Sequence, residues 1–350
     1  MKYVGLLAAL SLLLAVTGTV QALTTTAWTE DPSNPVYSPG HKAYYEAVLL
    51  DGGTYSMWYA SSGGVVLTTS PDGRTNWSTP QTCTGLTNAN HALVEKIGST
   101  YRMWYWPGLS YSINDIRTAT SSDGVNWAND QAITQVGTTV IASGWNRGSY
   151  GPADVIYNPT GSEFITEPTS EASVWANKYV MYYDGTTGGS ESIGLAVSND
   201  GLNWEGYNGG LAPVLAGTGV AGDWDRTYVS RSTVIKENDD AYHMWYSGGD
   251  GRMDHGIGYV FSTDGINWTR DASNPIFYKG DGVAWRDSRT YCPVVIGDEM
   301  WLSGVSSAGV YTIGYASGAG SGPVIPEPVT MAGLMLGIGC LARYVRRRRA

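Results

Sequence analysis

The chain is 350 residues long, with 46 Gly, 14 Trp and 24 Tyr against only 3 Phe, and 15% of its residues are charged. That composition excludes a disordered tail, a coiled coil and a collagen. It suits short strands joined by glycine turns, with Trp and Tyr supplying the buried mass. Lys+Arg 21 against Asp+Glu 31 gives a net charge of −10, which argues against a nucleic-acid partner because phosphate neutralisation needs a basic face.

The first predicted element is a leader. Met1 and Lys2 precede an apolar stretch, 4–16, then small polar residues and Val20-Gln21-Ala22. A basic start, a short apolar core and a small-residue exit predict a secretory signal peptide over 1–22, cut by signal peptidase.

The body, 23–322, repeats one unit. An apolar strand opens each copy: Val48-Leu49-Leu50, Leu93-Val94, Val155-Ile156, Val234-Ile235 and Val294-Val295-Ile296. A second strand carries Met and aromatics: Met57-Trp58-Tyr59, Met103-Trp104-Tyr105, Met181-Tyr182-Tyr183, Met244-Trp245-Tyr246 and Met300-Trp301-Leu302. A third, such as Ile193-Gly194-Leu195-Ala196-Val197, runs into a turn built on Asp72-Gly73, Asp123-Gly124, Asp200-Gly201 or Asp264-Gly265, each closed by a Trp. The fifth copy stops at Ile313-Gly314-Tyr315, before any such turn. Four-stranded units recurring about every 45–80 residues predict an all-β fold, a five-bladed β-propeller. The strand missing from the last blade is at the other end of the chain. Trp28-Thr-Glu-Asp-Pro-Ser-Asn-Pro35 repeats Trp268-Thr-Arg-Asp-Ala-Ser-Asn-Pro275 almost residue for residue. The N-terminal strand is therefore expected to complete the last blade, which closes the ring and hides its sheet edges.

The Asp-Gly turns lack calcium-loop spacing. An Asp accepting backbone amides, a Gly at positive φ and an anchoring Trp explain them as hairpin turns. Cys83, Cys292 and Cys340 form no zinc motif or disulfide framework. No cofactor is called for, and no ligand spacing predicts an axial calcium.

After the body come Pro326-Glu327-Pro328, an apolar run from Met331 to Ala342, and a basic end with Arg343 and Arg346 to Arg349. The 17 residues 329–345 are at the short end of what spans a bilayer as a helix, with the arginines kept cytoplasmic. This tail, 323–350, resembles the PEP-CTERM sorting signal recognised by exosortase. The resemblance implies transient anchoring by a C-terminal transmembrane helix, removal of that segment, and release to the cell surface or extracellular matrix. Without both ends the body keeps 15 basic against 30 acidic residues. It is expected to be a soluble, acidic monomer.

With strands labelled A to D from the axis outward, antiparallel order puts the Asp-Gly turns on one face. The D–A and B–C loops lie on the other. That second face collects charge and aromatics: Trp145, Arg147, Trp224, Arg226, Trp285, Arg286 and Arg289 from D–A loops, and Asn114, Asp115, Asp184, Glu191, Asp250, Arg252, Asp254 and His255 from B–C loops. Carboxylates, Arg, His and Trp around one mouth are what a sugar site needs, since hydroxyls take charged partners and pyranose faces stack on rings. Residues just before each inner apolar run should point to the axis: Glu46, His91, Asp154, Arg231 and Tyr291. Two carboxylates from separate blades, Glu46 and Asp154, meet the minimum for acid/base glycoside cleavage. His91, Arg231, Tyr291, Trp145, Trp224 and Trp285 are the candidate substrate contacts. An equal reading has Arg231 simply ion-paired with Asp154 or Glu46 to neutralise a crowded axis. A phosphate-dependent reaction would draw on Arg226, Arg231, Arg286 or Arg289.

The repeated Met-Trp-Tyr, Ile-Gly-x-Ala-x-Ser-x-Asp-Gly-x-Asn-Trp pattern resembles the five-bladed propeller glycosidases of the arabinanase, β-xylosidase and invertase-like superfamily. That resemblance implies an axial site with a first-blade Asp base, a second Asp that tunes pKa, and a Glu acid. Glu46 falls where the first Asp is expected, His91 takes the second-blade Asp position, and Asp154 stands where an acid Glu would. Two functions stay open: an exported glycoside hydrolase-like enzyme acting on polysaccharide or oligosaccharide, or a non-catalytic propeller binding glycan or matrix through the same face.

Overall fold

The computed structural model describes residues 23–108, 116–133, 145–146, 149–162, 168–251 and 253–318. The leader, the tail, Cys340, Asn114, Asp115, Arg147 and Arg252 lie outside them.

The fold is all-β. A short strand β1 (Trp28–Glu30) precedes β2 (Tyr44–Asp51), β3 (Thr54–Ser61), β4 (Gly64–Ser70) and β5 (Gln81–Thr82), which form one antiparallel sheet in chain order. A second follows as β6 (Ala92–Ile97), β7 (Thr100–Tyr105), β8 (Arg117–Ser121) and β9 (Trp127–Ala132). Next come β10 (Ser149–Tyr157), β11 (Tyr179–Thr187), β12 (Ser190–Ser198) and β13 (Glu205–Gly206), then β14 (Tyr228–Asn238), β15 (Ala241–Gly249), β16 (Gly256–Ser262) and β17 (Thr269–Arg270). A single parallel pair, Glu191 with Tyr228, joins these two runs. A short β18 (Phe277–Tyr278) also pairs β16. The last sheet holds β19 (Arg289–Ile296), β20 (Glu299–Val305) and β21 (Tyr311–Gly318), with β1 from the start of the chain on its outer edge. Among the described residues no helix is long and apolar enough to cross a membrane. The short α1 (Glu171–Trp175), capped by Ser170, sits between β10 and β11.

The inner strands β2, β6, β10, β14 and β19 touch one another in that order, and β19 returns to β2. Second strands are sandwiched between neighbouring sheets, so they are buried on both faces: Met57, Met103, Met181, Met244 and Met300 are fully buried. Such strands read as continuous apolar and aromatic runs.

What ties each unit to the next is one repeated hydrogen bond. The indole N–H of Trp58 donates to the Gly124 carbonyl at 2.8 Å, that of Trp104 to Gly201 at 2.8 Å, and that of Trp301 to Gly73 at 2.7 Å. Tyr182 does the same through its hydroxyl to Gly265 at 2.7 Å. Trp245 faces the unit that has no Asp-Gly turn, and its indole donates instead to Thr25, just ahead of β1, at 2.8 Å. The Asp-Gly turns are thus sockets for the neighbouring ring. Asp123 Oδ1 accepts the amides of Val125 and Asn126, and its Oδ2 takes the Asn126 side chain. Asp200 and Asp264 repeat this, and Asp72 does so with Thr75 in place of Asn. Gly124 has φ 76° and lies so close to Trp58 that a Cβ there would sit 2.8 Å from the ring. Only glycine satisfies both the turn and the contact.

Candidate functional site

At the axial end of three inner strands the ladder is interrupted in the same way. Two residues face one across the bulge between Tyr44 and Ala47, between Ser230 and Thr233, and between Tyr291 and Val294. The first extra residue in each is left-handed: Tyr45 at φ 55°, Arg231 at φ 46° and Cys292 at φ 54°. Non-glycine residues held there cost about 1–3 kcal/mol each and persist only when the surroundings enforce them. The enforcement is visible. The Tyr45 amide donates to Ser303 Oγ at 3.0 Å, the Cys292 amide to Ser247 Oγ at 2.8 Å, and the Arg231 amide to Asp184 Oδ1 at 2.9 Å. Ser303, Ser247 and Asp184 hold the same place, the third residue after the core Met of the preceding unit's second strand. Bulges re-aim side chains, and here they turn them toward the axis.

Along the axis lies a cavity of about 620 Å³, within the usual range for ligand pockets. Glu46, His91, Asp154, Arg231, Ser232 and Cys292 line it among aliphatic residues of the five inner strands. Glu46 and Asp154, expected to share a pocket, both line this one. Glu46 is 1% exposed, its Oε2 accepts from the Ser303 hydroxyl, and its Oε1 has no partner among the described residues. Burial pushes its carboxyl up to about 8. Asp154 is less buried. Its Oδ1 accepts the Val155 amide at 2.8 Å and its Oδ2 the Val234 amide at 2.5 Å, which pins β10 to β14. Burial raises it to about 7 against those two amides. Neither acid is held by an arginine in the described structure.

The arginines are spent elsewhere. Arg231 Nη1 reaches both oxygens of Asp254, at 2.8 and 3.0 Å, and Arg289 bonds the same carboxylate. Against the cost of burial, the two guanidiniums hold Asp254 below the usual carboxylate range. Arg231 lies 4.8 Å over the Tyr45 ring and Arg289 4.2 Å over Tyr291. Glu191 Oε2 is 3.9 Å from Arg231, and burial raises its carboxyl to about 7. Asp184 is driven well above the usual range by burial and then by the charge of Glu191. His91 is neutral: burial and then the charge of Arg231 lower it to about 3. The remaining arginines proposed for a phosphate are also paired, Arg226 with Asp250 and Arg286 with Glu30 and Asp281.

The structure therefore brings Glu46, His91, Asp154 and Arg231 to one cavity, with Tyr291 fully buried beside Tyr45 at its edge. It does not bring the three tryptophans there. Trp145, Trp224 and Trp285 stack on or lie over their own sheets, where Gly185, Gly248 and Gly304 leave room for them. A Cβ on those glycines would meet the indoles at 2.6, 2.5 and 2.1 Å. They are wedges rather than cavity walls. Tyr45, Asp184, Glu191, Asp254 and Arg289 complete the mouth. The sequence puts Asp184, Glu191, Asp254 and Arg289 on the right face, but only their contacts single them out. Among the described residues, no group of three or more His, Cys, Asp or Glu is placed to hold a metal ion, and Cys83 and Cys292 are free thiols.

No protein-family model matches the chain, and no curated protein does. Solved structures do. A complex of BT0996 with RGII superposes with a TM-score of 0.62 at 16% identity, over 87% of this chain and 96% of that one. A GH130 structure superposes at 0.58 and 16% identity, over 88% and 98%; its family of mannoside phosphorylases contains glycoside hydrolases that target beta-1,2 mannosidic linkages in Candida mannan. A thermostable family-43 glycoside hydrolase superposes at 0.57 and 19% identity, over 84% and 97%. At these identities what is shared is architecture: this chain has the all-β, propeller-like fold of those three structures.

Proposed function

We propose that the chain is an exported, carbohydrate-active, five-bladed propeller whose axial cavity takes a neutral glycan, with Glu46 and Asp154 as its acid/base pair. The observation that carries this reading is the pair itself: two carboxyls from different inner strands line one cavity, both raised toward neutrality and neither neutralised by an arginine. A carboxyl near 8 is protonated at pH 7 and suits proton donation to a leaving oxygen; one near 7 can accept a proton from water. Hydrolysis then sends the Glu46 proton to the departing sugar oxygen as the C–O bond breaks. The proton of the attacking water goes to Asp154. Pairing of Arg226, Arg231, Arg286 and Arg289 with carboxylates favours water over phosphate as the acceptor. The leader and the PEP-CTERM-like tail supply the route: signal peptidase, transient anchoring, exosortase, then the cell surface or matrix as a monomer.

A second reading, glycan binding without cleavage, is favoured by one observation. Both Asp154 oxygens are taken by strand amides, so the residue already has a structural role. Purified protein, Glu46→Gln and Asp154→Asn are assayed on arabinan, xylan and fructan oligosaccharides for cleavage, and by calorimetry for binding. The hydrolase reading expects each variant to lose at least 100-fold in rate. Wild-type protein that binds but cleaves none of them supports the binder instead.

A further inference from the structure

The amide at each of the three bulges is stapled by a side chain of the preceding unit, but the chemistry of the staple differs. Two use a serine, Ser247 and Ser303; the third uses Asp184. A serine would suffice to hold the Arg231 amide, so the carboxylate brings something the staple does not require. One Asp184 oxygen is committed to that amide. The other, Oδ2, lies 3.8 Å from where a Cβ on Gly151 would be, and His91 Nδ1 lies 3.8 Å from the same point. Gly151, paired with Asp184 across β10 and β11, thus leaves a gap about one atom wide, at ordinary contact distance from an acid oxygen and an imidazole.

Charge counting gives the oxygen its state. Asp184 pairs with Ile193 across β11 and β12, so Glu191, two residues along, projects from the same face. Asp184, Glu191 and Asp254 are 4%, 7% and 1% exposed, and only Arg231 and Arg289 oppose them among the described residues. Both guanidiniums are bound to Asp254. The other groups facing the cluster are neutral: Tyr45 on β2, His91 just ahead of β6, His255 next to Asp254, Tyr291 and Cys292 on β19, with Ser230 on β14 bonded to Asp254. Among the described residues, three buried carboxylates against two guanidiniums leave one unbalanced charge, and two carboxylates sharing a buried site keep a proton between them. The surroundings also hold unmet hydrogen-bonding atoms: the Tyr291 hydroxyl and Glu46 Oε1, both fully or nearly fully buried, have no partner among the described residues.

We infer that Asp184 has two functions: one oxygen staples the Arg231 bulge, and the other, with Glu191, holds the single proton of the cluster and offers it through the Gly151 gap as a hydrogen bond to a ligand oxygen. The last clause rests on the glycan reading above; the staple and the proton do not. Asp184 is thereby a specificity-determining donor, and ligand binding weakens as pH rises and the proton leaves.

The test uses the ligand-free protein first. Carboxyl carbons are labelled with ¹³C on Asp and Glu and followed by NMR from pH 5 to 9. Because Asp154 also titrates near 7, the reference is Asp154→Asn. In that background one Asp carboxyl is expected to stay protonated at pH 7, to vanish when Asp184→Ser is added, and to titrate at lower pH when Glu191→Gln is added. A full set of ionised Asp carboxyls in Asp154→Asn, or a protonated signal that survives the added Asp184→Ser unchanged, overturns the proton assignment. Asp184→Ser is expected to melt within a few degrees of wild type because it keeps an acceptor for the Arg231 amide, whereas Asp184→Ala melts several degrees lower. Equal melting of the two variants overturns the staple. Failure to bind or cleave any glycan in the panel, with both of these results intact, removes the carbohydrate reading and leaves the acid and its staple standing.

Discussion

At the scale of single residues, the site is governed by burial rather than by residue type. Glu46 was legible as an axial carboxyl because it immediately precedes an apolar inner run. Its protonation was not legible, because that depends on Ser303, 257 residues away, and on having no guanidinium nearby. The consequence for stability can be signed. The side chain ionises near its ordinary value of 4.5 in the unfolded chain and near 8 in the fold. Between those values the native protein holds a proton that the unfolded chain has lost. The stabilisation is therefore complete below about pH 4.5 and is lost as pH rises through 8. Glu46→Gln keeps the shape and a polar partner for Ser303 but removes the titration. Urea unfolding at pH 5 and at pH 8.5 should show wild type losing about 1–4 kcal/mol more than the variant between the two conditions. Parallel pH profiles for the two proteins would contradict this. The same local blindness hid the partners of Tyr45 and Arg289, which differ from other tyrosines and arginines of that face only in whom they meet.

Between elements, the repeat explains more than the individual strands do. Trp28-Thr-Glu30 and Trp268-Thr-Arg270 are the same outer strand in successive units, and the residue after each wedge tryptophan has changed sign to match. Arg270 bonds buried Asp225 at 2.8 Å, while Glu30 bonds buried Arg286 at 3.1 Å through Nε. At these two positions one unit is the charge-reversed copy of the next. Arg286 keeps Asp281 at 2.7 Å, but an arginine at position 30 sets a like charge against it, and breaking a buried pair from one side costs about 3–5 kcal/mol. Glu30→Arg should thus lose that much in denaturant unfolding, and Glu30→Arg with Arg286→Asp should recover most of it by recreating the Arg270–Asp225 arrangement. A double variant no better than the single would mean that the pair does not set the docking of β1. The wedges themselves left a signal that sequence reasoning passed over. Met181, Met244 and Met300 are each followed four positions on by glycine, at Gly185, Gly248 and Gly304, and a recurrent small residue in a buried strand marks the close approach of something large. Assigned by composition, those indoles looked like sugar platforms; assigned by their glycine partners, they belong to the sheets.

For the molecule as a whole, closure depends on a segment of 14 residues, 23–36. It supplies β1 to the edge of β21, and it supplies the Thr25 carbonyl that Trp245 uses where the other units use a turn glycine. Deleting it exposes a strand edge and leaves a buried indole without an acceptor, which in a closed ring destabilises both neighbours of the gap. The deletion should lower the melting temperature by more than about 10 °C or give aggregates on size exclusion, in line with what several kcal/mol does to a chain of this length. Unchanged melting would show that the ring does not need its clasp. The order of the repeated units, the doubled outer strand that pairs with the last sheet, and the socket turns follow from the chain alone, because each is written in residues a few positions apart and repeated until chance is excluded. The protonation of Glu46, Asp154 and Asp184, the pairing of both arginines with Asp254, and the retreat of the tryptophans into their sheets were decided by the folded molecule. Those depend on distances between residues tens to hundreds of positions apart, and on how much water the ring shuts out from between them.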